Sequence, residues 1–177
     1  MQTKPPSLYP LTEFYSMAGL PMPQFEIVPG EAVPSPQHQL LVHQNDMTPT
    51  VEEYYQKKVH IIVKQVVHCP NYLLREVTLA GDDELPLVFG AIRINLDLFD
   101  TEPRAKIKEC REPLGGILRD FNIPHSSHPK AFFRIKSDDI INESLQLNGP
   151  RFLFGRVNRI VNADQQPLVE VVEILPG

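Results

Sequence analysis

The chain has 177 residues, enough for one domain with a sizeable core, and it mixes 42% apolar with 22% charged residues, an ordinary globular balance. A formal charge of −5 argues against a nucleic-acid-binding or anionic-membrane surface. No apolar run approaches the roughly 18 residues of a membrane span, residues 1–10 lack a signal-peptide core, and two lone cysteines, Cys69 and Cys110, suit a reducing compartment, so a cytoplasmic protein is expected.

Residues 1–36 hold eight prolines and almost no periodicity. They read as an irregular N-terminal arm, disordered or laid over the body, with one short helix within residues 11–20. A single domain is expected over 37–177. It opens with "PQHQLLVHQND", a helical stretch carrying Leu40 and Leu41. In "DMTPTVEEYYQKK", Thr48 reads as a helix N-cap with Pro49 at the first helical position, and Val51, Tyr54 and Tyr55 form an i, i+3, i+4 stripe. Three β-like runs follow at 59–69, 72–80 and 85–97, the last two joined by the turn-like "GDDE". The middle is helical. "TEPRAKIKEC" starts at a cap-like Thr101 with a Glu102–Lys106 pair, and "EPLGGILRDFNI" carries Leu114, Ile117, Leu118 and Phe121 on one face. "PHSSHP" reads as a break. Strands at 130–136, 151–163 and 166–176 close the chain, the last two linked by "NADQQP". Six strands joined by short links, with helices before and between them, predict an α+β fold, an antiparallel sheet with helices on one side.

The strand "YLLREVTLA" poses a problem. Leu73, Arg75, Val77 and Leu79 alternate onto the face that should be buried, and one of them is a permanent cation. A buried guanidinium must be paired. Its partner is either an internal carboxylate or the carboxylate of a ligand, which arginine grips with two parallel hydrogen bonds. The last strand holds Glu170 and Glu173, three positions apart and so on opposite faces. One can join Arg75 in a pocket while the other pairs with a neighbouring strand; both can equally be structural, one against Arg75 and the other against Arg159. Gly115 and Gly116 open a helix, where they serve either close packing or the approach of an anion to free N–H groups. His125 and His128 are too few for a metal site. The chain has no phosphate loop, no dinucleotide fingerprint and no serine-nucleophile elbow. Arg151, Arg156 and Arg159 share one strand without an aromatic platform for nucleic acid.

Taken together, "LLVHQNDMT", "YLLREVTLAGDDELPLVFGA", "EPLGGIL" and "FLFGRVNRIV" followed by "QPLVEVVEILP" resemble, in that order, the chorismate lyase family, over residues 40–176. The resemblance implies a six-stranded antiparallel sheet with helices covering one face and a largely enclosed site. It implies elimination of pyruvate from chorismate to give 4-hydroxybenzoate for quinone biosynthesis, with no cofactor and no metal. Loss of the enolpyruvyl group from one ring carbon and of a proton from the next makes the ring aromatic, and that drives the reaction. By the same resemblance Arg75 binds a ligand carboxylate, the backbone of Leu114 beside Gly115 adds a donor, and Met47 helps close the pocket. The acidic residue falls on Glu173 when one residue of offset is allowed, with Glu170 as its rival, and Arg156 touches the departing enolpyruvate. Where the family often has Gly-Arg, this chain has Gly90-Ala91, with Arg93 two residues on. The expected partners are the small-molecule substrate and product alone, with no nucleic acid and no membrane, on a monomer or weak dimer. The alternative is a non-catalytic domain of the same fold that senses an aromatic acid, as in some bacterial transcription regulators. Those carry an N-terminal helix-turn-helix module, which the proline-rich first 36 residues do not resemble.

Overall fold

The computed structural model describes residues 6–177. In chain order the elements are α1 (Leu11–Met17), β1 (Phe25–Val28), α2 (Gln37–Leu41), α3 (Met47–Tyr55), β2 (Val59–His68), β3 (Tyr72–Gly81), β4 (Pro86–Asn95), α4 (Thr101–Glu109), α5 (Leu114–Asp120), β5 (His125–Lys136), α6 (Asp139–Leu145), β6 (Phe152–Asn162) and β7 (Pro167–Ile174). The strands form one antiparallel sheet in the order β1-β5-β6-β7-β4-β3-β2. The α+β antiparallel architecture expected from the sequence is the observed one.

Local chemistry sets the turns. Between β6 and β7, Asn162 Oδ1 accepts the backbone N–H of Asp164 at 3.0 Å and of Gln166 at 2.9 Å, folding the link tightly enough for strands to pair at once. The last strand, β7, is apolar on both faces because it enters the middle of the sheet, between β4 and β6.

Cross-strand register sorts the side chains onto two faces. One face carries the row Val77, Gly90, Glu173 and Arg156, and beside it the row Arg75, Ile92, Val171 and Asn158. Helices α3, α4 and α5 cover this face through Met47, Val51, Ile107, Ile117 and Leu118. The other face carries Leu74, Phe89, Ala91, Phe133, Val172 and Ile174, packed under Leu11, Phe14 and Tyr15 of α1 and Ile141 and Leu145 of α6. Helices therefore lie on both faces, where one was expected.

Several local expectations are corrected. The sheet has seven strands, because part of the proline-rich arm, Phe25–Val28, pairs with β5 along the sheet edge. The described part of that arm lies over the body, with Leu8 and Leu11 fully buried. The segment "PHSSHP" does not break the chain: β5 already begins at His125, and it absorbs Pro129, which has no N–H to donate, through a register shift between Pro129 and Ala131. Helix α3 begins after Asp46, two residues ahead of the expected Thr48 cap, and Thr48 is buried against α5. Helix α4 is preceded by Asp100, and Lys106 pairs with Glu109 and Glu112 in place of Glu102. Helix α6 was not expected; Asp138 caps it, its Oδ1 accepting the Ile141 N–H at 3.1 Å.

One acidic side chain is buried under the α1–α6 layer. Glu76 shares a row with Ala91 and Val172 and is 7% exposed. Burial, reinforced by the negative charge of Asp138, pushes its carboxyl up to about 7 from an ordinary 4.5. The folded state therefore holds a proton that the unfolded chain releases above pH 4.5, so this contribution to stability is full below that value and is lost as pH rises through about 7. Glu76→Gln is expected to melt above the wild type at mildly alkaline pH, with the gap closing toward mildly acidic pH; thermal denaturation across that range checks it.

Candidate functional site

A mostly apolar chamber lies between the sheet and the α3–α5 layer. Val77, Leu79, Val88, Ile92, Val169 and Val171 form its apolar floor, and Met47, Thr48, Leu114 and Gly115 its roof. Gly90 lies between Val77 and Glu173 in the same row, so the middle of the floor carries no side chain. The close approach of α3 to α5 depends on Gly115, where a Cβ would lie 3.2 Å from Thr48 Oγ1.

Arg75 stands at one end of this floor and is 1% exposed. Its Nη2 donates one long bond to the Glu112 carbonyl at 3.4 Å, while Nε and Nη1 have no partner among the described residues. No carboxylate there forms an ion pair with it. Burial pulls the guanidinium below the usual arginine value, opposed by the neighbouring Cys110. A desolvated cation with unused donors, set on the wall of an apolar chamber, has the donors to take a carboxylate.

Glu173 lines the other end and is 7% exposed. Strand spacing and rise put its Cα about 12 Å from that of Arg75, which leaves room between the two side chains for a small ring. Its Oε2 accepts from Arg156 Nε at 2.5 Å. Arg156 is fully buried, and its remaining donors reach the carbonyls of Leu41 at 3.4 Å, His43 at 3.3 Å and Asn45 at 3.2 Å. Arg156 does not line the chamber. It stands behind Glu173, and it ties the loop between α2 and α3 to the sheet. The arrangement presents a carboxylate acceptor at the end of the chamber opposite Arg75.

Register also separates the two glutamates. Glu170 faces the other side of the sheet, opposite Arg93, and pairs with Arg159 at 3.0 Å. Of the sequence-designated residues, then, Met47, Arg75, Leu114, Gly115 and Glu173 converge on the chamber, while Arg156 reaches it only through Glu173. Asp46 also lines the chamber and was not singled out in the sequence. Its side chain bonds His125 at 2.6 Å, so that histidine serves as a partner to a carboxylate, and His128 lies 2.9 Å from the Ser126 hydroxyl.

The two buried arginines should respond oppositely to Arg→Met. Arg156→Met strands Glu173 and three loop carbonyls and is expected to lose roughly 3–5 kcal/mol, whereas Arg75→Met removes an unpaired charge and should leave stability equal or higher. Denaturant midpoints of the two variants measure this.

No known protein-family profile and no curated protein matches the chain. Solved structures do share its fold. PhnF from Mycobacterium smegmatis aligns with a TM-score of 0.55 and 12% identity, over 77% of this chain and 65% of that one. YydK from Bacillus subtilis, a possible transcriptional regulator, aligns at 0.52 and 8% identity, over 68% of this chain and 59% of that one. The ligand-binding domain assigned to a GntR-family transcriptional regulator of Bordetella bronchiseptica aligns at 0.50 and 12% identity, over 68% of this chain and 86% of that one. This chain thus spans less than two thirds of the length of YydK and of PhnF. At these identities the likeness is one of fold. No helix among the described residues is long and apolar enough to cross a membrane.

Proposed function

We propose that the chamber binds a small hydroxylated ring acid and that the reaction run there is elimination of pyruvate from chorismate, giving 4-hydroxybenzoate. The observation that carries this reading is the buried, unpartnered guanidinium of Arg75 facing a chamber whose far end holds Glu173. A ring carboxylate takes the free Nε and Nη1 donors in the two-pronged geometry arginine favours. The ring lies on the valine–isoleucine floor above Gly90. A ring hydroxyl donates to Glu173, whose carboxylate Arg156 fixes in place.

In the reaction, the bond between the ring and the enolpyruvyl oxygen breaks, the neighbouring carbon loses its proton, and the ring becomes aromatic. The departing enolpyruvate gains a proton to become pyruvate. Aromatisation supplies the driving force, so the protein's part is to hold the substrate, exclude water and receive the proton, a role open to Glu173 on the chamber wall. The resemblance of "YLLREV", "EPLGGIL" and the terminal strand to chorismate lyases supports this chemistry.

A second reading has its own support. The fold is shared with a ligand-binding domain assigned to a GntR-family transcriptional regulator, and a sensor of aromatic acids needs the same Arg75–Glu173 constellation without turnover. Under either reading the ligand is a small molecule bound in the chamber.

Incubation of the purified protein with chorismate separates the two. Equimolar 4-hydroxybenzoate and pyruvate are expected, and tight 4-hydroxybenzoate binding with no pyruvate would assign the sensor. Arg75→Ala should abolish both turnover and binding. Glu173→Gln should lose far more activity than Glu170→Gln, since only Glu173 lines the chamber; the reverse order would remove Glu173 from the site.

A further inference from the structure

Outside the chamber a polar groove of about 1040 Å³ runs along the surface, lined by Asn45, Asp46, Glu53, His125 and His128 among others. Asp46 lines both spaces, so this residue stands where they adjoin. Oδ2 lies 2.6 Å from His125 Nε2, and Oδ1 accepts from the Ser127 hydroxyl at 3.3 Å. Ser127 is itself held by Asn158 Nδ2 at 2.9 Å.

His125 has a second oxygen to satisfy. Its Nδ1 lies 2.7 Å from the Ile123 carbonyl. Both ring nitrogens thus face oxygens, and an imidazolium, with hydrogen on both, satisfies the two at once. Asp46 shows the same commitment from its side. It precedes α3 with the extended backbone of an N-cap, where an aspartate ordinarily accepts first-turn amides, yet its side chain caps nothing. The carboxylate is turned to the wall instead. From beneath, Arg156 anchors the carbonyls of Leu41, His43 and Asn45, so the backbone is fastened up to the residue before Asp46.

We propose that the Asp46–His125 pair is a protonation-controlled latch across the passage by which a ring acid enters from the groove and reaches Arg75. The proposal rests on the reading of the chamber as a ligand site and adds its regulation. When the imidazolium loses its proton, the ring keeps one of its two hydrogen bonds, the attraction between opposite charges is gone, and the weakened wall opens.

The surrounding charges leave His125 as the titrating member. Arg156 of β6 acts on Asp46 from the inside. Glu173 of β7 lies on the chamber side, while Glu53 of α3 and His128 of β5 line the groove. His43 of the α2–α3 loop is held below its usual value by burial and by Arg156. The hydrogen bond to Asp46 raises His125 above the ordinary histidine value, against the opposing effect of burial. Burial would raise Asp46, but the bonds from His125 and Ser127 and the charge of Arg156 outweigh it and hold it low. The pair is therefore complete below the ordinary histidine pKa and is lost as pH rises through the raised one.

Amide hydrogen exchange over residues 44–50, normalised to unstructured-peptide rates, reads the latch directly. Protection there is expected to fall about tenfold from about pH 6 to about pH 9 in the wild type, while β7 amides hold theirs, and to be low at both in His125→Leu. The association rate of 4-hydroxybenzoate, read from NMR line shapes, should rise over the same interval in the wild type and be fast throughout in the variant. Equal protection of residues 44–50 at both pH values in the wild type would overturn the latch, and that measurement requires no variant to fold. Absence of 4-hydroxybenzoate binding at every pH would instead overturn the reading of the chamber, with the exchange data still judging the latch.

Discussion

Arg75 and Arg156 stand on the same face of the same sheet, both shut away from water, and of the two only Arg156 has a counter-charge among the described residues. A buried ion pair is an indifferent source of stability, but a buried guanidinium with unused donors is a liability unless something offsets it. The rest of the covered face is arranged around that asymmetry. Gly90 keeps the middle of the floor empty, Gly115 lets α3 and α5 close together as a roof, and the apolar floor keeps competing water scarce. An incoming carboxylate meets an electrostatic partner in a medium where such a contact is worth far more than at the surface.

The same asymmetry divides labour between the arginines. Arg156 positions: it holds Glu173 on one side and three consecutive-alternate loop carbonyls on the other, coupling the acidic end of the chamber to the segment that closes it. Arg75 receives. Solved structures with this fold retain the sheet at identities where little of the side-chain pattern survives. The function therefore has to be argued from the chamber's own residues rather than from the architecture.

Much of this was legible in the sequence because strands have a period of two. Alternation exposes Arg75 as a cation on an apolar row, and the three-residue spacing of Glu170 and Glu173 puts them on opposite faces. Which of them faced Arg75 was settled only by cross-strand register, a non-local property. The short helix within residues 11–20 was legible, but the seventh strand was hidden by proline density, which marks irregular backbone and leaves open whether that backbone is packed. Asp46 and His125 were illegible as a pair. They lie 79 positions apart, and each has an ordinary local reading, one as a helix-start aspartate and the other as a loop histidine. Helix α6 went unseen although Asp138 supplies its cap, because a seven-residue helix offers too few turns to establish a period.

The margins of the sheet carry a consequence for how copies of this chain meet. One margin, β1, is only four residues long. The other, β2, is ten residues long and rich in valine and isoleucine, the kind of border along which foreign strands zip. Its ladder to β3 shifts between Val63 and Gln65, leaving Lys64 as an extra, charged residue in mid-strand. A second β2 laid antiparallel about that point would set lysine against lysine and bulge against bulge. That charged bulge blunts the border against strand-to-strand growth.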